Sequence, residues 1–152
     1  MTWAELEGEA PALARLARER LEATGVGILA TIRSDGSPRL DPIEPVFAED
    51  GILIGVGVRT AKARDLRRDP RFALHATVSG PNEGEPDVKL YGSVEPSAGL
   101  AGWWRERSHD ADVYALVLGE AVTIEWNLAT SRMLVRRWLR GRGESIDERG
   151  YP

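Results

Sequence analysis

Between residues 26 and 58 the chain runs through three short segments of period-two hydrophobicity, separated by turns too short to hold a helix. That pattern predicts an antiparallel meander. Residues 26–33 form the first predicted strand, and Ser34-Asp35-Gly36-Ser37-Pro38 the hairpin turn, with Asp-Gly as its main signal. Residues 39–47 return as the second strand. Pro42 and Pro45 interrupt it and remove ladder donors. That side of the strand must face an edge, a bulge or something other than a neighbouring strand, a bound ligand included. Glu49-Asp50-Gly51 then turns the chain into a third strand over 52–58.

The flanking segments fit around this meander. In residues 4–23, Leu6, Leu13, Leu16, Ala17 and Leu21 fall near helical spacing. They predict an amphipathic helix that Pro11 begins or kinks and Thr24-Gly25 stops. After the meander come a short helix from about 61 to 69, stopped by Pro70, and strands over 72–78, 87–95, 113–126 and 133–139. The long strand carries a possible break at Gly119. A further helix is predicted over 97–108, with Trp103 and Trp104 packing on the barrel. Residues 141–152 are polar and glycine-rich and predict a loose tail. The sum is a mainly β fold with peripheral α: a six- to seven-stranded antiparallel barrel, closed or half-closed, with two or three helices, in one domain over 1–140.

Composition narrows the chemistry. A chain of 152 residues buries a core without staples, and this one has no cysteine for disulfides, thiolate metal sites or nucleophilic catalysis. Its two histidines, His75 and His109, lie far apart, so no metal site is expected. The apolar runs are strand-length and the first residues are not a charged-then-apolar leader, so the expectation is a cytoplasmic protein with no membrane partner. A net charge of −4 argues against general nucleic-acid affinity. No Ser-His-Asp order, close carboxylate pair or P-loop singles out a catalytic residue.

Against that acidic background, residues 59–71 concentrate six basic side chains (Arg59, Lys62, Arg64, Arg67, Arg68 and Arg71) against two acids, Asp65 and Asp69. The segment sits where a strand turns into a helix. A helix start offers unpaired N–H groups and the positive end of its dipole, so Thr60 and Lys62 there form a candidate phosphate cradle. Taken alone, the segment reads first as a solvated basic face paired with its own aspartates, with Thr60 as an N-cap. His75, inside an apolar strand, reads as a hydrogen-bonded core residue. Arg136 and Arg137 read as alternating across their strand.

Residues 29–38, 59–71 and 88–95, in that order and spacing, resemble the flavin-binding split-barrel family of pyridoxamine 5′-phosphate oxidase and its relatives using the deazaflavin coenzyme F-420. The resemblance spans roughly residues 24–140. It implies a split barrel, a homodimer with the cofactor in a groove between subunits, and FMN as cofactor, with coenzyme F-420 as an alternative and haem a further one. It assigns the cofactor phosphate to Thr60 and Lys62 with Arg39 supporting, and ring packing to Trp138; of Arg59 and Arg64, one reaches the phosphate while the other pairs with Asp65 or Asp69. The implied activity is hydride transfer between the cofactor and a small conjugated substrate; the alternative is a non-enzymatic flavin or haem carrier. The chain also departs from the oxidases. Glu44 stands where they carry a lysine, Ala61 where they carry an arginine and Asp87 where they carry a glutamine, and their C-terminal arginine–histidine pair is not recognisable. Vitamin B6 oxidation is therefore not expected.

Overall fold

Pro11 does not kink one helix but separates two. The computed structural model describes residues 2–49, 51–80, 84–99, 102, 104, 106 and 110–150. Within them, α1 (Thr2–Glu9) ends before Ala10, and α2 (Pro11–Thr24) begins with proline at its first position, where a missing N–H costs nothing. Gly25 closes α2 in the left-handed conformation, φ 66°, its N–H donating to the Leu21 carbonyl.

The strands are β1 (Gly27–Ile32), β2 (Pro38–Ile43), β3 (Val46–Ala48), β4 (Gly51–Gly57), β5 (Arg71–Ala76), β6 (Asp87–Pro96), β7 (Ala111–Asn127), β8 (Arg132–Leu139) and β9 (Gly143–Gly150), with α3 (Ala61–Arg68) between β4 and β5. The fold is mainly β and antiparallel, as expected, but with nine strands among the described residues rather than six or seven. Two differences account for the count. The predicted strand over 39–47 breaks at Glu44-Pro45 into β2 and β3, because proline cannot donate to the ladder. The predicted loose tail instead forms β9, which pairs along its whole length with β8. Its mostly exposed polar residues add a further strand outside β8, held by Arg132–Glu148 and Arg136–Glu144 pairs.

The sheet runs β2-β1-β5-β6-β7-β4-β3, with β8 on β7 and β9 on β8. β7 organises it. β6 lies along one edge of β7, while the other edge is shared by β4 near the start and β8 near the end. β7 is not broken at Gly119. The register shifts there, with Tyr91 opposite Glu120 and Gly92 opposite Leu118, so Gly119 is the extra residue of a bulge. β2 is an end strand, which satisfies the constraint set by its prolines. β2 and β3, the two ends of the strand path, are joined only by Glu44 and Pro45.

The main core lies between the two N-terminal helices and the inner sheet face. Leu6, Leu13, Ala17 and Leu21 meet Leu29, Ile54, Leu74, Val88, Leu90, Leu118 and Ala121 there. A smaller cluster of Leu53, Val113 and Trp104 is separate from it. The helix predicted over 97–108 lies largely outside the described residues, as do Trp103 and His109. Among the described residues no helix is long and apolar enough to cross a membrane.

Candidate functional site

The helix α3 starts because Thr60 stops β4 from continuing. Thr60 is extended, its hydroxyl oxygen accepts from the Ala63 N–H at 3.2 Å, and the hydroxyl donates to the Gly57 carbonyl at 2.8 Å. It is thus the N-cap. Its single donor goes to the Gly57 carbonyl, so the hydroxyl ties the end of β4 to the start of α3.

The cations of this segment sort by position. At the C-terminal end each has a carboxylate: Arg67 with Asp112 at 2.5 Å, Arg68 with Asp65 at 3.2 Å, Arg71 with Asp69 at 2.6 Å. The Arg71 pairing is tight enough to hold the Asp69 carboxyl down to about 2. At the N-terminal end the expected local pairing is absent. Lys62 Nζ donates to the Pro42 carbonyl at 2.9 Å, and Arg64 Nη1 donates to the Arg59 carbonyl at 3.1 Å. Among the described residues no carboxylate pairs with Arg59, Lys62 or Arg64. Three cations without ion-pair partners near the positive end of a helix dipole favour an anion placed beside them.

Two clefts flank this turn. One, of about 290 Å³, is lined by Val26, Pro42, Ile43, Glu44, Gly55, Lys62 and Trp104. The other, of about 430 Å³, is lined by Gly57, Val58, Arg59, Thr60 and Asp110. So Lys62 opens on one side of the α3 start, and Arg59 with Thr60 on the other. Gly55 gives the first cleft its wall. A Cβ there would come within 2.3 Å of the Trp104 ring, so glycine lets the indole lie flat against β4. Trp104 is buried, as the packing role required. Larger hollows of about 450 and 540 Å³ share Trp126 and Leu128 and include no residue of the α3 turn. Their charges are already matched, Arg132 with Glu148, Glu85 with Arg20, and Asp87 with Lys89, so they make weaker candidates for an ionic ligand.

Two further expected site residues are each held by a carboxylate. Trp138 is fully buried, and its indole N–H donates to Glu9 Oε2 at 2.7 Å. It pins β8 to the first helix and packs in the main core. Arg39 lies against the body of α3, its Nε donating to Asp65 Oδ2 at 2.6 Å. Asp65, which sequence reasoning noted only as an acid among cations, is 3% exposed and also accepts from Thr31 Oγ1 at 3.0 Å and from Arg68. Its signal was available: an aspartate between Ala63 and Leu66, which α3 turns toward the core with it. His75 is half-buried, its Nδ1 donating to the Ala76 carbonyl, but it borders an outer apolar hollow rather than the core.

A nine-stranded antiparallel sheet with a cation-bearing helix start between its fourth and fifth strands defines a split barrel. The family model for pyridoxamine 5′-phosphate oxidase matches residues 13–130, and the chain belongs to that family. Solved structures agree in fold. One is PhzG from Burkholderia lata in complex with tetrahydrophenazine-1-carboxylic acid, 13% identical over 97% of this chain and 95% of that one, TM-score 0.72. Another is a pyridoxamine 5′-phosphate oxidase-related, FMN-binding protein from Nostoc punctiforme, 13% identical over 93% and 96%, TM-score 0.66. A haem-binding protein from Mycobacterium smegmatis is 15% identical over 90% and 88%, TM-score 0.55.

Proposed function

We propose that this chain binds a phosphate-bearing flavin, FMN or coenzyme F-420, and transfers hydride between it and a small conjugated substrate. The observation that carries this reading is the sorting of charge along α3, which leaves Arg59, Lys62 and Arg64 without an ion-pair partner among the described residues, with Lys62 and Arg59 lining two clefts. When bound, the flavin ring supplies the redox chemistry, and the protein's part is to bind, orient and shield. Lys62 holds one carbonyl and keeps two further N–H donors for phosphate. Arg39 and Arg59 support it. The Pro42 to Glu44 backbone, Gly55 and Trp104 line the space beside it. A second copy of the chain completes the groove in a homodimer. Glu44 puts a carboxylate into the same cleft, which disfavours a second anionic group such as the phosphate of a B6 vitamer by about 1 kcal/mol per close contact even in water.

The test is a titration with FMN and with coenzyme F-420, followed by absorbance and fluorescence. Lys62→Ala is expected to cost about 1.5–3 kcal/mol, roughly one to two decades of affinity, with unchanged circular dichroism. Equal affinity for both cofactors in wild type and variant would retire the reading. A second reading is a non-enzymatic carrier of flavin or haem. It draws on the haem-binding neighbour and on His75 at the rim of an apolar hollow. Turnover of the reduced cofactor separates enzyme from carrier, and a Soret band on adding haemin would favour haem.

A further inference from the structure

We infer that Asp65 is a positioning residue for anion recognition: it acts on the ligand's phosphate through Arg39. The inference rests on the flavin-phosphate reading above and names a further residue of that same site.

Asp65 is a charge placed where charges are costly, at 3% exposure on the inner side of α3. It is retained with three donors from three elements: Thr31 of β1 at 3.0 Å, Arg39 of β2 at 2.6 Å and Arg68 of α3 at 3.2 Å. Helix, hairpin and carboxylate are thereby locked into one geometry. The Arg39 contact is made through Nε. Among the described residues no other partner is recorded for its guanidinium, so both Nη groups remain for a ligand. A guanidinium is planar and rigid, so fixing Nε fixes the direction of the Nη pair. With its side chain 26% exposed, Arg39 is open to solvent on one side and pinned on the other. That is how a carboxylate orients an arginine for bidentate contact with a phosphate.

A positioning role and a merely structural ion pair predict opposite signs. Removing a negative charge near an anion site strengthens anion binding through Coulomb's law if nothing else changes. If Asp65 aims Arg39, removing the charge weakens binding although the site becomes more positive.

The experiment is a fluorescence titration of Asp65→Asn with FMN and with riboflavin, which lacks the phosphate. The expected result is a loss of roughly tenfold or more for FMN and little change for riboflavin. In an Arg39→Ala background the Asp65→Asn effect on FMN should vanish. Equal losses for both ligands, unchanged or tighter FMN binding, or a persisting effect without Arg39 would each overturn the inference while leaving the flavin reading standing. If Asp65→Asn does not fold, Asp65→Glu decides. It keeps the charge and displaces the carboxylate that holds Nε, so a loss of FMN affinity with riboflavin binding unchanged supports the inference, and retained FMN affinity overturns it. Wild type binding no FMN and no coenzyme F-420 removes the flavin reading and the inference together.

Discussion

At the scale of single residues, Asp65 shows how opposing effects of burial and hydrogen bonding are decided by number. Burial pushes its carboxyl pKa up. The donors from Arg39, Arg68 and Thr31 outweigh it, and the pKa lies below the ordinary value of 3.8. Because the folded-state pKa is depressed, the charged network adds stability above the unfolded pKa, and that contribution fades as pH falls through the folded one. The expected outcome is a melting-temperature gap between wild type and Asp65→Asn that is present at pH 7 and narrows as pH falls below about 4. A gap that does not change with pH would mean the carboxylate's charge contributes nothing. How much of such a site the sequence discloses depends on the reach of each contact. Thr60 as a helix start was legible because a cap bonds three residues ahead. The Arg39–Asp65 pair spans 26 residues and two elements, and Trp138 meets Glu9 across 129 residues. A period-two strand pattern says that Trp138 faces one side but not whether that side is core or groove, so its contact with Glu9 could not be read from the strand alone.

At the scale of elements, the same limit separates what turns determine from what pairing determines. The hairpin between β1 and β2 was legible because Asp-Gly sets it locally: Gly36 takes φ 84°, and Asp35 accepts from the Ser37 N–H at 2.9 Å. The tail was not legible, because β9 owes its existence to β8 and to ion pairs with it rather than to any apolar pattern of its own. Gly119 was noticed, but its meaning lay in its partner strand. Across from the bulge, a Cβ on Gly92 would sit 2.0 Å from the Val117 carbonyl oxygen, a contact with backbone that no side-chain rotation relieves. Gly92→Ala is therefore expected to force β6 away from β7 and to destabilise the fold by about 1–3 kcal/mol, read as a lower urea midpoint. An unchanged midpoint would show that the two strands part there at no cost.

At the scale of the whole molecule, one face of the sheet is unfinished. On the outer side of β2-β1-β5-β6, Ile28, Ala30, Leu40, Ala73 and Tyr91 line a shallow apolar hollow, with His75 and Lys89 beside them. Leu40 is 69% exposed and Tyr91 37%. Contiguous apolar surface on an end strand invites another chain, and symmetric pairs are the commonest way to cover it. The resemblance to the split-barrel family implies a cofactor groove between two subunits, so the proposed dimer and the proposed site are tested together. The chain is expected to sediment at micromolar concentration with twice its 16.7 kDa mass. Leu40→Glu, which puts a charge on the apolar face without touching the core, is expected to shift it to monomer and to weaken FMN binding in the same titration. A wild-type monomer in the presence of cofactor would overturn the dimer and the shared groove. A Leu40→Glu variant that stays dimeric would move the interface to a different face, because a buried, unpaired carboxylate in an apolar contact costs more than a small interface returns.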